Sequence, residues 1–372
     1  MEVVLDIKAE NLAEVITAKT HETDDTGIKE RIKQLPLKSG SSLVLVDCEE
    51  ATLQFLGLAI SMLSELGIVP ESLSVQCQKS HLFKVKKICE NTSVKVSQIG
   101  VPDQSVGEGD KLEIMAPSAV LNDQAVIVTE TRLDPLFGFT GGAASLIRLL
   151  NDEVMAEAFG RRANDEPHPG KDTPSNDFSQ AVIDPLSLAS SVEIVSMHGH
   201  IADILSGGLR DTHQLAKKRA TELVTYQVAQ PAKIVVLSPG HDRDSTLSSS
   251  LDSAWNVLGA LREKGWLIIA AECSQGLGSE AMELLGTGRI RIESKKYVRG
   301  LEDVVFLRNV NERNNLVMVS TLPHYYLSVK LGLRIARRLQ EAFHEALEAL
   351  GSRAKAHIVT SSADILLASK ES

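Results

Sequence analysis

The chain alternates short apolar runs with longer stretches whose apolar residues recur at helical spacing, and this alternation constrains the fold more than any other feature. Residues 42–46 (SLVLV) form one short run, 52–66 carry a helical pattern that ends at Gly67, and 73–77 form the next run. Two strands joined through a helix pair in parallel, because a parallel connection must cross back over the sheet. Residues 125–128 (AVIV) predict a further strand, which leads into Glu130-Thr131-Arg132 and a glycine turn at 138–142. A helix over 143–150 follows. The polar, Pro- and Gly-rich stretch 164–176 predicts a long loop. Residues 192–197 and 201–205 predict a hairpin across His198-Gly199-His200, and 210–224 a helix.

The pattern restarts at Lys233 after a linker at 229–232. Residues 234–237 predict a strand, 247–264 a helix, and 266–271 (WLIIAA) a second strand. Residues 304–308, 316–320 and 357–359 complete a second α/β unit, and 331–350 predict an amphipathic helix. The expectation is two α/β lobes with largely parallel sheets and an interdomain cleft: an N-terminal domain over 1–230 and a C-terminal domain over 231–372. A length of 372 residues suits two domains.

Composition excludes several functions. A net charge of -10 opposes a broad nucleic-acid footprint, although Lys79, Lys84, Lys86 and Lys87 form a local basic patch. No apolar run reaches membrane-spanning length, and the first ten residues lack a signal-peptide core. The four cysteines form no CxxC pair, which fits free thiols in a reducing cytoplasm.

In an open α/β sheet, ligands bind beyond the carboxyl ends of the strands. The strand ends here hold Asp47 and Glu49, His81, the segment from Arg132 to Gly141-Gly142, and Ser238, Gly240, Asp244 and Glu272. Glycines opening a helix can bring backbone N–H groups to an anion, or can simply serve the turn. GxGxxG and the P-loop lysine pattern are both absent. His198 and His200 could share one ion if they lie on a strand, or be solvated at a hairpin tip; without a third ligand at firm spacing, no metal site is expected. Cys273 has no partner base in the sequence, which favours a small buried residue over a nucleophile.

The collinear order of these segments, from about residue 40 to 368, resembles the nickel-pincer lactate racemase family. Asp47 after its strand resembles the family's Asp-x-Thr-Arg-Pro motif, 73–81 its Gly-x-His-Arg strand end, and Glu130 through Ser145 its Glu-x-His … Gly-Phe-Ser-Gly-Gly-x-Lys-Ser segment. The stretches 192–211, 238–244 and 271–278 are similar to its hairpin and its second-domain strand ends. The resemblance implies racemisation of a 2-hydroxy acid by hydride transfer. In that chemistry a nicotinate-derived pincer holds nickel and is tethered to a lysine, one histidine ligates the metal, and two more act as bases.

Carried over residue by residue, the tether falls on Ala144 and the metal histidine near Ala158. One catalytic histidine falls at or near Arg132 and the other at His81; a substrate-side lysine falls near Asp252. The first motif reads Asp47-Cys48-Glu49-Glu50-Ala51, without its arginine. The nickel pincer nucleotide is thus the implied cofactor, but its attachment lysine is replaced. The expected function is a lactate racemase-like protein whose inherited chemistry is gone or replaced. As an enzyme it would be an isomerase of small 2-hydroxy carboxylates, with His81 and Arg132 catalytic. It would bind its ligand through Asp47, Glu49, Gly141, Gly142, Ser238, Gly240, Asp244 and Glu272. The alternatives are a different reaction in the same cleft, or a non-catalytic subunit that binds a small carboxylate. A homo-oligomer or pairing with a related subunit would fit either.

Overall fold

The computed structural model describes residues 4–19, 24–109, 112–186, 188, 190–240, 243–289 and 297–370. Their strands build two six-stranded sheets. The first has the order His200–Gly207, Ser190–Met197, Ala125–Thr131, Ser42–Leu45, Ser74–Cys77, Lys95–Gln98. Every pairing in it is parallel except the outer hairpin. The second has the order Leu12–Thr17, Ala356–Thr360, Ala232–Leu237, Leu261–Ala270, Asn315–Val319, Arg334–Ile335, and is parallel throughout. The α/β class with largely parallel sheets is therefore as expected.

Each sheet has a switch point, where successive strands stop being added on one side and start on the other. In the first sheet it lies between Ser42–Leu45 and Ala125–Thr131; in the second, between Ala232–Leu237 and Ala356–Thr360. Loops leaving the strands diverge there and open a crevice, the usual ligand position in such sheets.

Apolar burial explains the layers. Ile28, Ile32, Phe55, Leu56 and Val85 from three helices cover one face of the first sheet. Leu339, Ala342, Phe343 and Ala346 cover the outer face of the second. The two remaining faces contribute to a single apolar cluster, with Val44 and Ile127 from the first sheet and Val235, Leu267 and Ile269 from the second. Among the described residues no helix is long and apolar enough to cross a membrane.

Several elements differ from the sequence expectation. Leu12–Thr17 carries no continuous apolar run, yet it pairs with Ala356–Thr360 at the edge of the second sheet, so the chain before residue 230 does not all build the first. The helix expected over 247–264 stops at Trp255, and the chain enters the strand Leu261–Ala270. At Gly259 a side chain would strike Leu367 O, so the backbones meet too closely there for a continuing helix surface. The helix expected over 331–350 begins only at Leu339, because Arg334–Ile335 is drawn onto the sheet beside Val317 and Met318. The loop over 164–176 ends early: Thr173 caps Pro174–Ile183 by accepting from Asn176 N–H, with Pro174 in the first turn. The stretch 304–308 lies inside the helix Leu301–Arg313.

Leu12–Thr17 gives a direct test of the edge pairing. Ile16 is 1% exposed and its neighbour Val15 is 55% exposed. Ile16→Ala is expected to cost about 2–4 kcal/mol in urea unfolding, while Val15→Ala stays within about 0.5 kcal/mol.

Candidate functional site: the crevice at two switch points

The strand Ala125–Thr131 is buried along its whole length and carries Glu130 near its end. Glu130 is 1% exposed. Its carboxylate accepts from Thr52 Oγ1 at 3.0 Å and from Ser196 Oγ at 2.6 Å. Arg132 Nε lies 3.4 Å from Glu130 Oε1, yet this nitrogen is buried and makes no hydrogen bond. Burial alone would release the Arg132 proton more readily; the carboxylates of Glu130, Glu49, Asp47 and Asp364 outweigh it and hold the guanidinium firmly charged.

Asp47 bridges the two central strands. Its Oδ2 accepts from Glu130 N–H at 3.0 Å and from Ser145 Oγ at 2.7 Å. Enclosure pushes its carboxyl up to about 6, against the lowering effect of those two hydrogen bonds and of Arg132. A carboxyl in that range can hold or release a proton near neutral pH. Glu49, two residues on, is partly exposed and sits between two guanidiniums, 3.6 Å from Arg132 Nη2 and 3.9 Å from Arg243 Nη2. Both separations exceed hydrogen-bond length, so the carboxylate is held by charge and not by a fixed bidentate fork. His81 closes the turn Lys79–His81 and is half-buried. Burial holds its imidazole below the usual range, with the Glu49 carboxylate pulling the other way and Lys84 adding to the depression.

The second switch point closes on the first. Arg243 follows the strand Ala232–Leu237 and reaches Glu49 across the crevice. His198, at the tip of the Ser190–Met197 hairpin with φ 52°, places Nδ1 3.2 Å from Asp364 Oδ2, and its N–H donates to Asp364 Oδ1 at 3.2 Å. His200 is exposed. Among the described residues no group of three or more His, Cys, Asp or Glu side chains could hold a metal.

The glycine turn is bound within the chain. Gly141 N–H donates to Ser145 Oγ at 2.8 Å and Gly142 N–H to Thr129 Oγ1 at 3.2 Å, so neither amide is left for an anion. Gly141 has φ 92°, and a side chain there would collide with Glu193 Oε1; at Gly142 a Cβ would lie 2.7 Å from His213 Cγ. Behind the turn, Glu193 Oε1 accepts from Thr131 Oγ1 and lies 2.6 Å from His213 Nδ1.

The remaining expected residues of the second lobe serve its loops. Ser238 N–H donates to Val359 O and its carbonyl accepts from Ser362 N–H. Gly240, at φ 102°, packs against Ser361, 3.2 Å from its Cα to a would-be Cβ. Asp244 O accepts from Cys273 N–H at 2.6 Å, and Glu272 O accepts from Thr321 N–H and Ser320 Oγ. Cys273 is buried, which pushes its thiol up. Asp242 lies outside the described residues. The geometry thus gathers Asp47, Glu49, His81 and Arg132 and adds Glu130, Arg243, His198 and Asp364. Sequence reasoning did not single out Arg243, although it sits in a strand-end loop already identified.

A second polar cluster spans the lobes nearby. Asp134 pairs with Arg148 Nη2 at 2.7 Å and accepts from the N–H groups of Leu136 and Phe137. Asp252, Glu302 and Asp303 face it from the second lobe. Burial raises all three carboxyls, with Arg148 opposing; repulsion from Asp303 adds to the rise at Asp252 and Glu302, which reaches about 7, while hydrogen bonds from Ser248 and Ser279 restrain Asp303. Asp252 thus belongs to an acid cluster around Arg148.

No family model and no curated protein matches the sequence. Solved structures do match. The lactate racemase apoprotein from Thermoanaerobacterium thermosaccharolyticum superposes with a TM-score of 0.75 at 15% identity, over 98% of this chain and 96% of that one. A protein from Thermotoga maritima superposes with a TM-score of 0.70 at 11% identity, over 94% and 99%. The chain therefore has a lactate racemase-like fold. At the two positions where the resemblance places the tether and the metal histidine, Ala144 and Ala158 are fully buried in the apolar cluster that joins the lobes and offer no donor atom, so these residues do not fit a tethered nickel pincer.

Two predictions follow from these contacts. Gly141→Ala is expected to destabilise by roughly 2–4 kcal/mol, since it combines a strained φ with a clash against a buried carboxylate. Glu302, raised from 4.5 to about 7, binds its proton more tightly folded than unfolded. Its contribution is therefore complete below about pH 4.5 and lost as pH rises through 7. Urea unfolding should show stability falling as pH rises from about 5 to about 8, and Glu302→Gln should flatten that fall.

Proposed function

We propose that this lactate racemase-like protein binds a small carboxylate, of the 2-hydroxy acid class, in the crevice where the two switch points meet, without nickel-pincer chemistry. The observation that carries this reading is the position of Glu49. Its carboxylate stands between Arg132 and Arg243 at ion-pair but not hydrogen-bond distance. It marks where the carboxylate of a ligand would sit, and it is exposed enough to swing aside. Arg132 Nη2, on the Glu49 side of the guanidinium, is a donor such a ligand could use. Asp47 near pH 6 favours a second reading, proton transfer on the bound ligand by Asp47 with His81 as its counterpart, which would make the protein an isomerase.

Calorimetric titration with D- and L-lactate tests the binding. Arg243→Ala should weaken it about tenfold or more, and Arg132→Lys should weaken it while keeping the charge beside Glu130. Glu49→Gln should tighten it severalfold by removing the internal competitor. Binding that is indifferent to all three substitutions would remove this crevice as the site. Protein co-expressed with cofactor-making enzymes should carry well under one nickel per chain; stoichiometric nickel would contradict the loss of the pincer.

A further inference from the structure

A separate cavity lies away from the crevice. It is a groove of about 740 Å³ at the opposite, amino ends of the second sheet's strands, lined among others by Glu14, Lys233, Arg262, Arg353, Lys355 and His357. Lys233 lies at the start of Ala232–Leu237, Arg262 at the start of Leu261–Ala270, and His357 at the start of Ala356–Thr360. Parallel pairing sets Ala232 beside Leu261 and Val235 beside His357, with a register shift just after Ala232, so the amino ends of the three strands gather and the cations come together by topology and not by a run in the sequence.

The charges here are unlike the rest of the chain. A protein of net charge -10 gathers four full cations around one volume. Lys233, Arg353 and Lys355 make no side-chain hydrogen bond or ion pair with any described residue, and Arg262 spends only its Nε, on Pro231 O at 2.9 Å. The one lining carboxylate, Glu14, is taken by the Tyr226 hydroxyl. The helix Leu339–Leu350 ends at the groove, and its partial negative charge would draw cations. The loop carbonyls beyond it, Ser352 O and Ala354 O, are already satisfied by the Asn11 amide. An independent sign is His357, which is 3% exposed and lines the groove. Its Nε2 meets Gln230 O at 3.0 Å, while Nδ1 is buried with no partner.

We propose that this groove is a binding site for a small multivalent anion of the phosphate-ester or polyphosphate class, separate from the carboxylate crevice. The volume is that of a metabolite site. Lys and Arg heads free of internal partners hold such anions by charge and by forked hydrogen bonds. The exposed lysines on the helix Leu82–Cys89 offer clustered positive charge outside the groove, and so serve as the control.

Titration of the full chain with inorganic triphosphate at low ionic strength tests the proposal. One saturable triphosphate per chain is expected, weakened about tenfold or more in a Lys233→Ala, Arg353→Ala, Lys355→Ala variant. A Lys84→Ala, Lys86→Ala, Lys87→Ala variant should bind as the parent does. The groove variant substitutes exposed side chains only, and an unchanged unfolding curve confirms that it folds. No saturable binding, equal binding by the groove variant, or loss in the helix variant would each overturn the proposal.

Discussion

A buried carboxylate governs this molecule. Glu130 is almost wholly removed from water at the end of a central strand. Taking such a group out of water costs several kcal/mol unless partners surround it. Its partners come from different parts of the chain: Thr52 on a helix, Ser196 on the neighbouring strand, and Arg132 two residues on. Satisfying Glu130 therefore fixes a helix against two strands and holds the Arg132 guanidinium at the mouth of the crevice. Arg132 in turn attracts Glu49 and lies in the field of Asp364, a residue of the second lobe. Interlobe contacts follow from it: Arg243 to Glu49 and His198 to Asp364.

The same arrangement explains how a lactate racemase-like fold places these side chains at its crevice. The parallel sheets deliver their strand ends to one edge whatever side chains stand there. Ala144 and Ala158 are part of the apolar packing between lobes. The crevice is left with two guanidiniums, a carboxyl poised near neutrality and a half-buried imidazole, a set suited to a small organic anion and to proton transfer. Fold alone does not choose among the reactions such a set permits.

Much of this was legible in the sequence, for physical reasons that can be named. The runs SLVLV, AVIV and WLIIAA read as strands because parallel strands buried on both faces must be continuously apolar. The strand ends holding Asp47, Glu49, His81 and Arg132 followed from the rule that ligands sit beyond carboxyl ends. Leu12–Thr17 stayed hidden because an edge strand buries only part of its surface and tolerates Glu14 in its middle. The end of the helix at Trp255 depends on a close approach of Gly259 to Leu367, a contact distant in sequence. Gly141 and Gly142 look like an anion cradle from sequence; their amides are instead consumed by Ser145 and Thr129, and their missing side chains make room for Glu193 and His213. The tie between Arg243 and Glu49 requires both lobes in place, which no local pattern encodes.

The central claim is that Glu49 holds the place of a ligand carboxylate between Arg132 and Arg243. A crystal structure of the protein grown with lactate tests it most directly. The account predicts the ligand carboxylate within hydrogen-bond reach of both guanidiniums, with the Glu49 side chain turned out toward solvent. Lactate bound elsewhere, or a crevice unchanged with Glu49 still between the two arginines at saturating lactate, would contradict it.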